Sequence, residues 1–208
     1  MILRAEKICK SYGEEQILKD VSLCVGPGQS VAVMGTSGRG KSTLISIMGL
    51  LLQPDGGSLF LGDRNLLQLS DRQKAGVRNR EFGFLFQHTQ LIGSVTVLDN
   101  VLVPALLARK KGMEERAKML IDELGISHRM HHYPHQLSIG QKRRASVARA
   151  LLLDPQVLFA DEPTNDLDEE NAKIVGRQIF RLPEEGKTLI LVTHDKKLAR
   201  RAGNSLDL

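Results

Sequence analysis

Tryptophan is missing altogether, and two tyrosines and six phenylalanines bring the aromatic share to 4% of 208 residues. Proteins that bind single-stranded nucleic acid without sequence preference stack successive bases on aromatic rings, so this composition argues against that class. Cysteine is nearly as scarce. Cys9 and Cys24 form neither a CxxC pair nor a metal-ligand spacing, and two such thiols read as reduced side chains of a cytosolic protein rather than as a disulfide framework. Long apolar runs are lacking too. The longest candidate, LISIMGLLL at 44–52, falls well short of the roughly 18–20 residues a membrane span needs, and it reads as a buried helix. The opening MILRAEKICK carries no apolar leader stretch, so the expectation is a cytoplasmic chain.

What is present is core-forming material: 41% hydrophobic and 25% charged residues, with ordinary glycine and proline counts of 19 and 7. That balance belongs to a folded soluble domain rather than a disordered one. The net charge of +5 permits contact with nucleic acid, an anionic membrane face or a nucleotide, and selects none of them. Alternating residues in ILRAEKICKSYG and QILKDVSLCV predict two antiparallel strands turning near Gly13. Apolar runs at Ser30–Met34, VLFAD and TLILV predict buried parallel strands, GGSLFLGDRNL a short strand with a turn, and Arg80–Gln87 a strand ending on glutamine. From His88 to Leu153 the apolar spacing becomes helical, with Gly125 a C-cap of one helix, and further helices are expected over NAKIVGRQIFRL and DKKLARRAG. The architecture predicted is α/β with an all-helical insert, forming one domain rather than two.

Between one buried strand and a helix lies Gly35-Thr36-Ser37-Gly38-Arg39-Gly40-Lys41-Ser42, with Thr43 following. It matches G-x-x-x-x-G-K-[ST] in full and in the required context. Such a loop wraps backbone N–H groups around a β-phosphate, while Lys41 reaches β- and γ-oxygens and Ser42 ligates Mg²⁺. A triphosphate site needs a second acid, and Asp161 emerges at the end of VLFAD, where open α/β sheets place ligand groups. Glu162, next in the chain, is the natural general base for water. His194, ending LILVTH, can donate to the γ-phosphate, and the neutral amide of Gln87 can touch Mg²⁺ or water. Separately the histidine and glutamine are weak signals; around one nucleotide they gain weight.

A second helix begins at Ser138-Ile139-Gly140-Gln141, with no apolar strand before it and no lysine placed for a phosphate. The residues alone leave two readings. S-x-x-Q is an ordinary capping box; alternatively, the hydroxyl, amides and helix dipole form half a site that closes on ATP held by another copy.

In this order, GTSGRGKST, LSIGQ, VLFADEPT, NDLD and VTHD resemble the ATP-binding subunit of an ABC transporter over nearly the whole chain. Within that family, GDRNLLQLSDRQKAGVRNREFGFLFQHTQLIGSVTVLDNV is similar to the lipoprotein-releasing and macrolide-export branch. The resemblance implies a P-loop NTPase core with a mostly parallel sheet and a small antiparallel β subdomain, in about 1–87 and 154–208, and a helical subdomain in about 88–153. It implies Mg-ATP hydrolysis in a head-to-tail homodimer, with Ser138 and Gly140 facing the partner's γ-phosphate. Tyr12 would stack on adenine, and Asn165, Asp166, Leu167 and Asp168 would run along the dimer seam. Separate transmembrane permease subunits would hold the chain at the cytoplasmic face of the membrane, with no nucleic acid involved. The alternatives are a mechanical module of an envelope complex that moves no cargo, or a nucleic-acid-linked ATPase of the same family.

Three features depart from the family pattern. Ile139 stands where glycine is usual, so it should keep ordinary negative φ and leave the close approach to Gly140. Arg39 replaces a small residue and should point outward, where it could add a phosphate contact. The sequence ends at GNSLDL, where the family usually continues through another strand and turn, so a weakened sheet edge or dimer is expected. His128, His131, His132 and His135 have helical spacing but no acid or thiol among them, and Pro134 interrupts the run. KRR at 142–144 and RKK at 109–111 read as solvated helix faces. Residues 90–97 read as a groove for a helix of a membrane partner.

Overall fold

The computed structural model describes residues 1–36 and 38–208; Ser37 lies outside the described residues. Two kinds of apolar pattern produce two sheets. Alternation gives β1 (Leu3–Tyr12) and β2 (Glu15–Val25), which pair antiparallel across the turn at Gly13. With β4 (Gly56–Leu61) and β5 (Arg64–Asn65) they form a sheet of order β2-β1-β4-β5. Near-continuous apolar runs give β3 (Ser30–Met34), β6 (Phe82–Leu85), β7 (Val157–Asp161) and β8 (Thr188–Val192). These join β9 (Gly203–Asp207) in an all-parallel sheet of order β6-β7-β8-β3-β9.

A strand's period of two divides the parallel sheet between two cores. Val31, Val33, Phe159, Ile190 and Val192 join the cluster that includes Leu3, Ile8 and Leu59 of the antiparallel sheet and Leu44 and Ile47 of α1 (Lys41–Met48). Ala32, Leu158, Ala160, Leu189 and Leu191 point to the other cluster. There they meet α3 (Val97–Leu107), α4 (Glu114–Glu123), α5 (Ile139–Leu151) and α6 (Glu169–Glu184). Because the strands are parallel, the chain leaves β3, β6, β7 and β8 on one edge of the sheet. That edge carries the phosphate loop, Gln87, Asp161–Glu162 and His194.

Several elements differ from the sequence expectation. Helix α2 (Asp71–Arg80) was not foreseen, since only Val77 of it is buried and no apolar periodicity marks it. A reciprocal capping box holds its start, with Ser70 accepting from Gln73 N–H and Gln73 accepting from Ser70 N–H. The run 44–52 is helical only to Met48; Gly49 caps it, and Leu50 turns at φ 60°. Strand β6 stops at Leu85, two residues before Gln87. The ending GNSLDL forms edge strand β9 after α7 (Lys196–Ala202), in register with Ser30–Met34, a strand not among those expected. Its exposed polar residues give no strand signal by alternation. The four histidines do not share a helix face: residues 127–129 and 134–136 form two separate 3₁₀ turns, and His132 is hydrogen-bonded to Arg129.

Candidate functional site

The phosphate loop leaves β3 and turns into α1 through two glycines whose backbones no other residue could easily adopt. Gly35 has φ 133°, and a Cβ there would meet the Leu208 carbonyl oxygen at 2.5 Å. Gly40 has φ 85°, and its Cβ would lie 2.7 Å from Ile17 and 2.8 Å from Leu18. Lys41, first residue of α1, donates from Nζ to the carbonyls of Gly35 (2.9 Å) and Thr36 (2.8 Å). The ammonium therefore lies folded over the loop it would share with a phosphate. Arg39 is exposed, as is Thr36.

A cleft of about 470 Å³ opens over this loop. Gly35, Gly38, Gly40, Lys41, Ser42 and Thr43 line one side, and Gln87, Asp161, Glu162 and His194 the other, with Tyr12 and Ile17 at the end. Half of Tyr12's surface is free, and Lys10 Nζ sits 5.7 Å from its ring centroid. Ile17 escaped sequence reasoning; its place beside Tyr12 follows from the β1–β2 hairpin.

Burial pushes the Asp161 carboxyl above its ordinary range, with Ser42 opposing, Glu162 adding to the rise, and Lys41 and Arg143 pulling down. Asp161 forms no ion pair among the described residues. A desolvated carboxylate beside a hydroxyl and an amide offers hard oxygen donors only, a set that fits Mg²⁺. Ser42, Gln87 and Asp161 would hold it, and when bound it would neutralise phosphate oxygens.

Glu162 sits just past β7 at φ 45°, a left-handed backbone pinned by its N–H donating to the Val192 carbonyl at 2.9 Å. Its carboxylate lies 2.9 Å from His194 Nδ1, and its side chain is 16% exposed against 72% for the imidazole. Glu162 raises the His194 pKa above the ordinary value by this hydrogen bond and by its charge. A raised value in the folded state means the stabilising contact is full at low pH and fades as pH climbs through it. In Glu162→Gln the His194 titration, followed by imidazole NMR, is expected to fall back toward the unperturbed 6.5. An unmoved titration would mean that the contact does not form in solution.

Ser138, Ile139, Gly140 and Gln141 are not among the residues lining this cleft. Ser138 caps α5 in a reciprocal box: its Oγ accepts from Gln141 N–H at 3.2 Å, and Gln141 Oε1 accepts from Ser138 N–H at 3.0 Å. The hydroxyl proton remains available to an outside acceptor, so capping and phosphate contact are compatible. Ile139 opens α5 outside the left-handed region, with 61% of its surface free. Gly140 makes a close approach within its own chain, where a Cβ would stand 2.5 Å from Asn171 Cγ. Asn171 is held in turn by Asp168, which accepts from its N–H at 2.8 Å and its Nδ2 at 2.6 Å and so caps α6. These bonds hold the Asp168 carboxyl below its usual range. Asn165 donates to Asp166, which has φ 60°, and Leu167 packs partly buried on the core.

A strand, a glycine loop closed by lysine and serine, and an acid pair ending a neighbouring parallel strand define a P-loop ATPase. Comparison narrows the class. The family profile described as "ABC transporter" matches residues 18–165, and the chain belongs to that family as an ATP-binding and ATP-hydrolysing subunit. It is 41% identical over 201 residues to the lipoprotein-releasing system ATP-binding protein LolD of Cytophaga hutchinsonii, covering 95% of this chain and 92% of the relative. It is 42% identical over 200 residues to the macrolide export ATP-binding/permease protein MacB of a Shewanella species, spanning 94% of this chain and 30% of that longer protein. Its fold matches the dimeric post-hydrolysis structure of the ATP-binding cassette MJ0796 bound to ADP and Pi. That match has a TM-score of 0.93 and 33% identity, and it covers 99% of this chain and 94% of the other. Among the described residues no helix is long and apolar enough to cross a membrane.

Proposed function

We propose that two copies of this chain close head to tail on two Mg-ATP molecules and part after hydrolysis, driving separate membrane subunits of an export system. The observation that carries this reading is the division of the phosphate-facing groups. The cleft holds the phosphate loop, the acids and His194, while Ser138 and Gly140 stand outside it and need a second copy to reach a nucleotide. In each site Tyr12 stacks on adenine, and the loop from Gly35 to Thr43, Ser37 and Arg39 included, surrounds the phosphates. Ser42, Gln87 and Asp161 hold the cation. Glu162 takes the proton of the attacking water, His194 donates to the γ-phosphate, and Lys41 balances developing charge. Ser138 to Gln141 of the partner close the site, and residues Asn165 to Asp168 form the seam. The chain acts as one domain, with core and β subdomain in about 1–87 and 154–208 and the helical subdomain in about 88–153.

A second cleft of about 920 Å³ supports the coupling to membrane subunits. Phe84, Phe86, Ile92 and Leu107 give it an apolar lining, and Arg72, Arg78, Arg80, Arg109 and Arg149 border it with no acid among the described lining residues. A short helix with apolar anchors and acidic flanks is the matching occupant. Similarity to LolD and MacB supports lipoprotein-, peptide- or macrolide-type extrusion, worked from the cytoplasmic face. Leu107 is 73% exposed, so Leu107→Asp should fold normally. Co-expressed with a membrane protein that co-purifies with the wild-type chain, that variant is expected to lose association at least about tenfold while its basal ATPase is kept. Unchanged co-purification would rule this groove out as the docking site.

A further inference from the structure

Two arginines of α5 end on the backbone of a single five-residue segment. Arg143, only 3% exposed, donates from Nη1 to the Phe86 carbonyl at 2.6 Å and from Nη2 to the Gln87 carbonyl at 2.5 Å. Arg149 donates from Nη1 to the Gln90 carbonyl at 2.8 Å and from Nη2 to the Thr89 carbonyl at 2.9 Å. Four carbonyls between residues 86 and 90 are thus held by one helix, the helix that Ser138 opens. This segment follows β6, and no strand ladder holds it. Gln90 adopts φ 50°, a conformation that needs outside support.

Arg143 is costly to bury. Its direct partners are neutral carbonyls, its Nε has no partner, and it makes no ion pair among the described residues. An apolar side chain of similar length would fill the space without that penalty. The charge is instead sustained at longer range by Asp166 and Asp161. A planar fork can span two neighbouring carbonyls at once, which an ammonium cannot.

We propose that Arg143 is a positioning residue for Gln87. By clamping the Phe86 and Gln87 carbonyls it fixes the backbone from which the Gln87 amide reaches the cation, and it ties that backbone to the helix presenting Ser138 to a second copy. This rests on the assignment of Gln87 to the cation made above. It adds a mechanical consequence. The arginine-bordered groove is lined by Phe86, Gln90 and Arg149, so pressure there moves segment 86–90 and α5 as one body.

The test is a double-mutant cycle read by turnover and by binding. Arg143→Met keeps the length and removes the fork. It is expected to lower kcat roughly tenfold. In a Glu162→Gln background, which separates binding from turnover, it should also raise the Mg²⁺ concentration that half-saturates binding of a fluorescent ATP analogue several-fold. Analogue binding without Mg²⁺ should stay within about twofold, which a general loss of structure would not permit. Because Arg143 acts through Gln87, Arg143→Met/Gln87→Ala should match Gln87→Ala alone rather than show the product of both losses. Arg143→Lys should recover only part of the effect, and it replaces Arg143→Met in the cycle if the latter fails to fold. Multiplying losses, or an unchanged Mg²⁺ requirement in Arg143→Met, would overturn the proposal while Gln87→Ala behaves as expected. A Gln87→Ala chain with normal Mg²⁺ dependence would instead remove the Gln87 assignment, and the proposal with it.

Discussion

Glu162→Gln should bind Mg-ATP, hydrolyse it roughly a hundred- to ten-thousandfold more slowly than the wild-type chain, and accumulate as a dimer. The substitution is nearly isosteric, so the left-handed turn at φ 45° and the N–H bond to Val192 remain. The amide oxygen can still face His194 Nδ1, now 2.9 Å from the carboxylate. What disappears is the capacity to take a proton from water. The phosphate loop, Ser42 and Asp161 are untouched, so nucleotide affinity should hold, and a closed pair that cannot hydrolyse has no route to separation. Size-exclusion chromatography with and without Mg-ATP, beside phosphate release, measures both halves of the expectation. Monomers at saturating Mg-ATP, or turnover within a few-fold of the wild-type chain, would contradict it.

The legible parts of this molecule are those where one residue type at one spacing has one physical use. The loop Gly35–Thr43 declared itself because glycine, lysine and serine occupy positions whose backbone and charge requirements exclude most others, and the structure places Gly35 and Gly40 where a Cβ would collide. Buried strands were legible as apolar runs, and their parallel order then brought Asp161, Glu162, His194 and Gln87 to one edge. Helix α2 and strand β9 were not legible. The first is held by a capping box and one buried valine, the second by backbone pairing to β3, and neither leaves an apolar period in the sequence. Arg143 was invisible for a different reason. KRR at 142–144 reads as a charged helix face, and only the fold shows that its middle arginine turns inward to the carbonyls of Phe86 and Gln87.

Gly140 was read as a point of close approach, and the structure supplies a neighbour inside the chain. Asn171 fills the space a Cβ would take, and Asp168 fixes Asn171. Segment 165–168 and the start of α5 are therefore packed as one surface, with Ser138 exposed on it. A surface built in this way can be presented rigidly to another molecule, and its proposed target is a nucleotide in a second copy.

Mixing two inactive variants tests that proposal without any membrane partner. Lys41→Met removes the ammonium that folds over the phosphate loop, 2.9 Å from the Gly35 carbonyl, and its homodimers should be inactive. Ser138→Arg blocks the exposed start of α5 with a bulky cation while leaving the phosphate loop intact, and its homodimers should be inactive too. In a mixed dimer, the loop of the Ser138→Arg chain faces the intact α5 start of the Lys41→Met chain, so one of the two sites is complete. Random pairing makes half of the dimers mixed, and half of their sites whole, so the equimolar mixture should recover up to about a quarter of the wild-type rate. If each chain instead finished its own site, the mixture would be as inactive as its components at every ratio. Recovery that peaks at equal amounts and vanishes in excess of either variant is the signature of a pocket with walls from two molecules.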